Sequence, residues 1–93
     1  MRIVSIRHKN LARFIEKDDA SKLDSRIVTK LRVQITFLIG MTHSDECRNL
    51  QIWRAQQLSD RRWSLHVTAN FRLTFELDDE AQEVRILDLE DYH

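Results

Sequence analysis

Residues 63–77 read "WSLHVTANFRLTFEL". Trp63, Leu65 and Val67 alternate with Ser64, His66 and Thr68, and Phe71, Leu73, Phe75 and Leu77 alternate with Arg72, Thr74 and Glu76. A period of two puts successive side chains on opposite faces of a strand, so each run has one apolar and one polar face. Asn70 lies between the runs and tolerates the positive φ of a tight turn. The stretch therefore predicts an antiparallel hairpin with its apolar face in the core. The opposite face is expected to be bare and to carry Ser64, His66, Arg72 and Thr74.

The hairpin is flanked by more strand-like sequence. "IWRAQQL" at 52–58 predicts a strand before it, joined by "SDRR" at 59–62, a turn signal without glycine. "DDEAQE" at 78–83 is an acidic turn, and "VRILDLE" at 84–90 predicts the last strand. The N-terminal half reads differently. "RIVSIR" at 2–7 is a short β-branched run suited to a strand. In "HKNLARFIEKDD", Leu11, Phe14 and Ile15 fall at i, i+3 and i+4, one face of a helix opened by His8 or Asn10. In "SKLDSRIVTKLRVQITFLIG", Ile27, Leu31, Ile35 and Leu38 mark a longer helix, with Val28, Phe37 and Ile39 widening its stripe. Ser21 or Asp24 is a candidate N-cap, and Gly40, the single glycine, stands where the helix is expected to end. "MTHSDECRNL" is a polar connection with room for one more helical turn.

The predicted order is β-α-α-β-β-β-β: an α+β domain with two N-terminal helices packed on one face of an antiparallel sheet. With 93 residues the chain has one core, so a single domain over residues 1–93 is expected. Any function lies on one face of that fold or in association with a larger partner.

Several function classes are excluded. Cys47 is alone, which removes a disulfide framework and a cysteine-rich zinc site. Its neighbours "SDECRN" favour an inert thiol over a nucleophile. One glycine cannot build a phosphate loop, and His8, His43, His66 and His93 lack ligand spacing, so no cofactor or metal is expected. "MRIVSIRHKN" has no apolar core of a signal peptide, and Val33–Met41 is far shorter than the ~20 residues that cross a bilayer. The expected location is the cytoplasm, away from any membrane.

The net charge is zero but unevenly placed. Residues 1–72 hold fourteen Lys and Arg against seven Asp and Glu, and residues 73–93 hold one against eight. Such asymmetry marks either a basic face that meets phosphates or charges that pair across elements. The excess of Arg over Lys suits phosphate, whose oxygens match the guanidinium fork. Arg61 and Arg62 at the predicted hairpin tip, with Arg54 just before, are candidate RNA contacts. Arg72 is either a cross-strand partner of a carboxylate or a fixed cation on a rigid sheet. Tyr92 and His93 follow directly on the last strand and are either a frayed end or a reactive edge.

Three stretches, "RHKNLARFIEK", "WSLHVTANFRLTFEL" and the terminal "LEDYH", resemble the RelE superfamily of toxins from bacterial toxin–antitoxin systems, most closely the HigB branch. The resemblance spans nearly the whole chain in order and spacing. It implies the microbial ribonuclease (RelE-like) fold and cleavage of mRNA in the ribosomal A site. It also implies neutralisation by a HigA-like helix-turn-helix antitoxin, through which the toxin reaches DNA only indirectly. By that resemblance His93 is an acid or base, Tyr92 stacks on a base or orients the phosphate, Arg72 stabilises the transition state, and Asp91 orients a neighbour. Where related toxins usually carry a His and a Lys, this sequence has Gln56 and Ser59, neither of which shuttles a proton or carries a charge. The alternative reading is a toxin-like binding protein without nuclease activity, directed at an antitoxin or, as in the ParE branch, at gyrase.

Overall fold

A computed structural model describes residues 1–91, leaving Tyr92 and His93 outside the described residues. The elements are β1 (Arg2–Ile3), α1 (Lys9–Lys17), α2 (Val28–Gly40), α3 (Asp45–Arg48), β2 (Gln56–Gln57), β3 (Arg62–His66), β4 (Phe71–Asp78) and β5 (Glu83–Asp91). The sheet order is β1-β5-β4-β3-β2. β2, β3, β4 and β5 run antiparallel, whereas β1 pairs with β5 in parallel. The sheet is therefore mixed rather than wholly antiparallel. The meander leaves β4 in the middle of the sheet and β5 at its side, and β1 pairs with the outer side of β5 across a long crossover, which permits parallel pairing.

The helix order also differs from expectation, with a short α3 after α2. Its turn is held by side chains. The Glu46 carboxylate accepts from the Thr42 and His43 backbone N–H groups at 2.7 and 3.0 Å, and Asp79 accepts from the Ser44 N–H and hydroxyl at 2.7 and 2.6 Å. The strand expected over 52–58 shrinks to Gln56–Gln57, because Gln51–Trp53 form a 3₁₀ turn that ends at Arg54 in the left-handed region. His8 caps α1, its Nδ1 accepting from the Leu11 N–H at 3.1 Å. Neither Ser21 nor Asp24 caps α2: Ile27 is the N-cap and makes no side-chain bond, while Asp24 instead accepts from Arg26. Asn70 does not adopt positive φ. The β3–β4 link closes through Thr68, whose carbonyl accepts from the Phe71 N–H at 3.3 Å and whose hydroxyl accepts from the Asn70 N–H at 3.3 Å.

The predicted apolar alternates meet as one core. Trp63, Leu65, Val67, Leu73, Phe75 and Leu77 are buried with Leu11 and Phe14 of α1, Leu31, Ile35 and Leu38 of α2, and Val84, Leu87 and Leu89 of β5. Val84 and Leu87 are three apart, a spacing that would send them to opposite faces of a regular strand. A bulge corrects the phase. Thr74 pairs with Asp88 and Glu76 with Arg85, two residues of β4 against three of β5. The extra residue, Ile86, takes φ 52° and faces outward, while its N–H donates to the Ser5 hydroxyl at 2.8 Å.

The polar sheet face is not bare along its middle. Ser64 is 4% exposed and Thr74 is fully buried. Their short side chains lie between the longer Arg62 and His66 on β3 and Arg72 and Glu76 on β4, two residues away on the same face. Thr74 Oγ1 has no hydrogen-bond partner among the described residues. Its desolvation is then uncompensated. Thr74→Val, which keeps the shape and removes the hydroxyl, is expected to raise stability by about 1 kcal/mol, whereas Phe75→Ala, opening a cavity at a fully buried ring, is expected to cost about 3–5 kcal/mol. Chemical denaturation of the two variants checks both signs.

Candidate functional site

Register places the site. His66 ends β3 directly opposite Arg72 near the start of β4, and Arg72 in turn lies opposite Glu90 on β5. All three alternate onto the polar face. Arg72 Nη1 lies 2.8 Å from His66 Nδ1 and donates to the Thr68 carbonyl at 3.2 Å. Guanidinium has no acceptor, so the imidazole accepts at Nδ1, which leaves its proton on Nε2.

The backbone beneath is anchored from the other side. Gln34 of α2 is buried and its Nε2 donates to the His66 carbonyl at 2.9 Å. Lys30 lies one helical turn before Gln34 and so on the same helix face. Loss of solvation, then the charges of Arg72, Lys30 and Arg54, push the His66 pKa below its usual 6.5. Three other elements thus bring Lys30, Arg54 and Arg72 into electrostatic reach of His66. Lys30 and Arg54 enter no ion pair among the described residues, whereas Arg2, Arg13, Arg26, Arg32, Arg48, Arg61 and Arg85 all do. Lys30 and Arg54, cations that no carboxylate pairs with among the described residues, are suited to an anion.

Not every sequence-derived candidate belongs to this cluster. Arg62 opens β3, four residues from His66, or roughly 13 Å along a strand, and Arg61 directly precedes it. Arg61 faces Asp78 at 3.7 Å and Arg62 lies opposite Glu76. They line a separate shallow surface with Ser59, Asp60 and Glu76. Gln56 is exposed on the edge strand β2 opposite Ser64, in the row next to the His66–Arg72 row, and Ser59 lies in the β2–β3 turn. Asp91 is exposed at the end of β5 and pairs with Phe71, so Glu90 is the cross-strand neighbour of Arg72. Tyr92 and His93, assigned to the reactive edge by resemblance, lie outside the described residues; the strand that leads into them runs beside Arg72.

His66 was legible only as one polar alternate. Its pairing with Arg72 follows from the hairpin register, six residues apart across the turn. Lys30 carried no signal at all, because nothing in a helical pattern says which strand end it will face. Cys47 is fully buried with Sγ 3.5 Å from Met41 Sδ, and burial, with Glu46 and Asp79, pushes its thiol up to about 12. It is an inert core residue. Among the described residues no group of three or more His, Cys, Asp or Glu could hold a metal ion, and no helix is long and apolar enough to cross a membrane.

Fold and site together define a small α+β protein whose polar sheet face carries a paired guanidinium and imidazole. Residues 4–93 match the HigB-like toxin family, described as the RelE-like toxin of the type II toxin–antitoxin system HigB. The match covers nearly the whole chain, and the chain belongs to this family, whose toxins have an antitoxin partner in a type II system. No curated protein matches the sequence.

Arg54 holds its place at a cost. It is a non-glycine residue at φ 46°, a conformation that costs roughly 1–2 kcal/mol. Arg54→Gly is expected to raise stability by about 1 kcal/mol, a change that thermal denaturation measures.

Proposed function

We propose that this protein is a ribosome-dependent mRNA endoribonuclease that inhibits translation and is neutralised by a HigA-like helix-turn-helix antitoxin. The observation that carries it is the Arg72 guanidinium, tied to His66 on a rigid sheet and lying beside the strand that runs into "EDYH". Family membership supports the same reading.

RNA cleavage in this reading uses the 2′-hydroxyl as nucleophile. Its oxygen attacks the adjacent phosphorus as its proton is lost, and the 5′-oxygen leaves with a proton, giving a 2′,3′-cyclic phosphate and a 5′-hydroxyl. The reaction needs a proton acceptor, a proton donor, and cations for the charge on the phosphoryl oxygens. Arg72, with Lys30 and Arg54 nearby, supplies the cations. His93 exchanges the proton and Tyr92 orients the phosphate or stacks on a base. Asp91 orients one of these neighbours. The ribosome orients the substrate, which lets so few groups suffice. Arg61 and Arg62, at the other end of β3, extend the contact along an RNA backbone.

A second reading, a toxin-like protein that binds an antitoxin or gyrase without cutting RNA, draws on Gln56 and Ser59. Neither supplies a proton-transfer group on the β2 side of the face.

Induction in bacteria with mapping of mRNA 5′ ends tests the choice. Growth arrest with new in-frame cleavages is expected. Arg72→Ala is expected to lower cleavage by about 10²–10³-fold, and His93→Gln by about 10²–10⁴-fold, both without unfolding the domain. Arrest without new cleavages, surviving both substitutions, would select the binding reading.

A further inference from the structure

Among the described residues the imidazole nearest the functional cation is one that the family resemblance does not assign. We propose that His66 is a positioning residue for Arg72: its neutral ring accepts a guanidinium N–H at Nδ1 and holds the cation where the scissile phosphate is bound. The proposal rests on the nuclease reading for its consequence, but the pairing itself is a property of the folded chain.

An arginine side chain is rich in rotamers, and a phosphoryl-stabilising cation works best when that freedom is already spent. Here one nitrogen, Nη1, donates to His66 Nδ1 at 2.8 Å, to Thr68 O at 3.2 Å and to Phe71 O at 3.5 Å. His66 ends β3, and Thr68 lies in the turn that joins β3 to β4. The His66 backbone is fixed again by Gln34 from α2.

The contact exists in only one protonation state. Protonated imidazole has no lone pair at Nδ1, and its charge would oppose Arg72 at hydrogen-bond distance. The charged groups that act on His66 are Arg72 from β4, Lys30 from α2 and Arg54 from the turn before β2, all cations. Glu90 on β5 lies across from Arg72 rather than from His66. The surroundings therefore keep the ring neutral at physiological pH, and the clamp opens as pH falls through a value below 6.5.

Side-chain geometry supplies the test. The amide oxygen of asparagine sits where Nδ1 sits, whereas that of glutamine reaches the position of Nε2. In a ribosome-programmed cleavage assay at pH 7.5, His66→Leu and His66→Gln are each expected to lower kcat about 10- to 100-fold, the usual cost of losing a group that orients a functional one, with KM little changed. His66→Asn is expected to restore most of the loss. Its acid limb below pH 6.5 should be missing, because asparagine does not titrate. In the Arg72→Ala background His66→Leu should cost nothing further. Full kcat in His66→Leu, or asparagine as damaging as leucine, would overturn the proposal.

If the wild-type chain cleaves no RNA, the nuclease reading fails and a second arm still decides the pairing. Long-range ¹H–¹⁵N spectra of the histidine rings should show His66 as the Nε2–H tautomer, titrating below 6.5 and moving toward 6.5 in Arg72→Ala. The opposite tautomer, or a titration indifferent to Arg72, would refute it.

Discussion

The register of β3 against β4 is the constraint on which the rest depends. Five residue pairs, from Arg62↔Glu76 to His66↔Arg72, set both faces at once. Trp63 opposite Phe75 and Leu65 opposite Leu73 go to the core, and the same alternation sends His66 and Arg72 to the other side. A slip of one residue would exchange the faces, exposing Phe75 and burying Arg72. Core and site are therefore not separable features of this hairpin. The apolar burial that stabilises the fold also holds the guanidinium and imidazole in contact.

The bulge at Ile86 extends this logic to β5. Without the extra residue, Val84 and Leu87 could not both reach the core, and the strand end near Arg72 would be out of phase. The cost is a β-branched residue at φ 52°. The Ser5 hydroxyl and carbonyl accept the Ile86 and Leu87 N–H groups at 2.8 and 3.0 Å, so the segment after β1 stabilises the irregularity. A second left-handed residue, Arg54, lies at the site itself. Strain at both places is retained where it aims a side chain or corrects a phase.

The zero net charge conceals a division of labour. Part of the acidic C-terminal third is used internally: Glu83 pairs with Arg2 and Arg85, Asp78 with Arg61 and Arg85, and Asp79 holds the start of α3. These pairs tie some basic residues of the N-terminal part to the C-terminal third. Lys30 and Arg54 are left without carboxylate partners among the described residues and gather beside His66. Pairing across elements thus accounts for part of the charge asymmetry, and Lys30 and Arg54 stand outside that part among the described residues.

The amino-acid sequence by itself determined the hairpin, the two main helices, the apolar membership of the core and the family, because each rests on a local period or a contiguous motif. It also marked Arg72 as a strand cation. Local pattern did not reveal the parallel entry of β1, the shortening of β2 or the burial of Ser64 and Thr74. These depend on which strand becomes a neighbour and on how long the flanking side chains are. The cluster of Lys30, Arg54, His66 and Arg72 was likewise decided only by tertiary structure. A helix, a strained turn and two strands supply it, and no sequence period links residues that meet only when those elements pack.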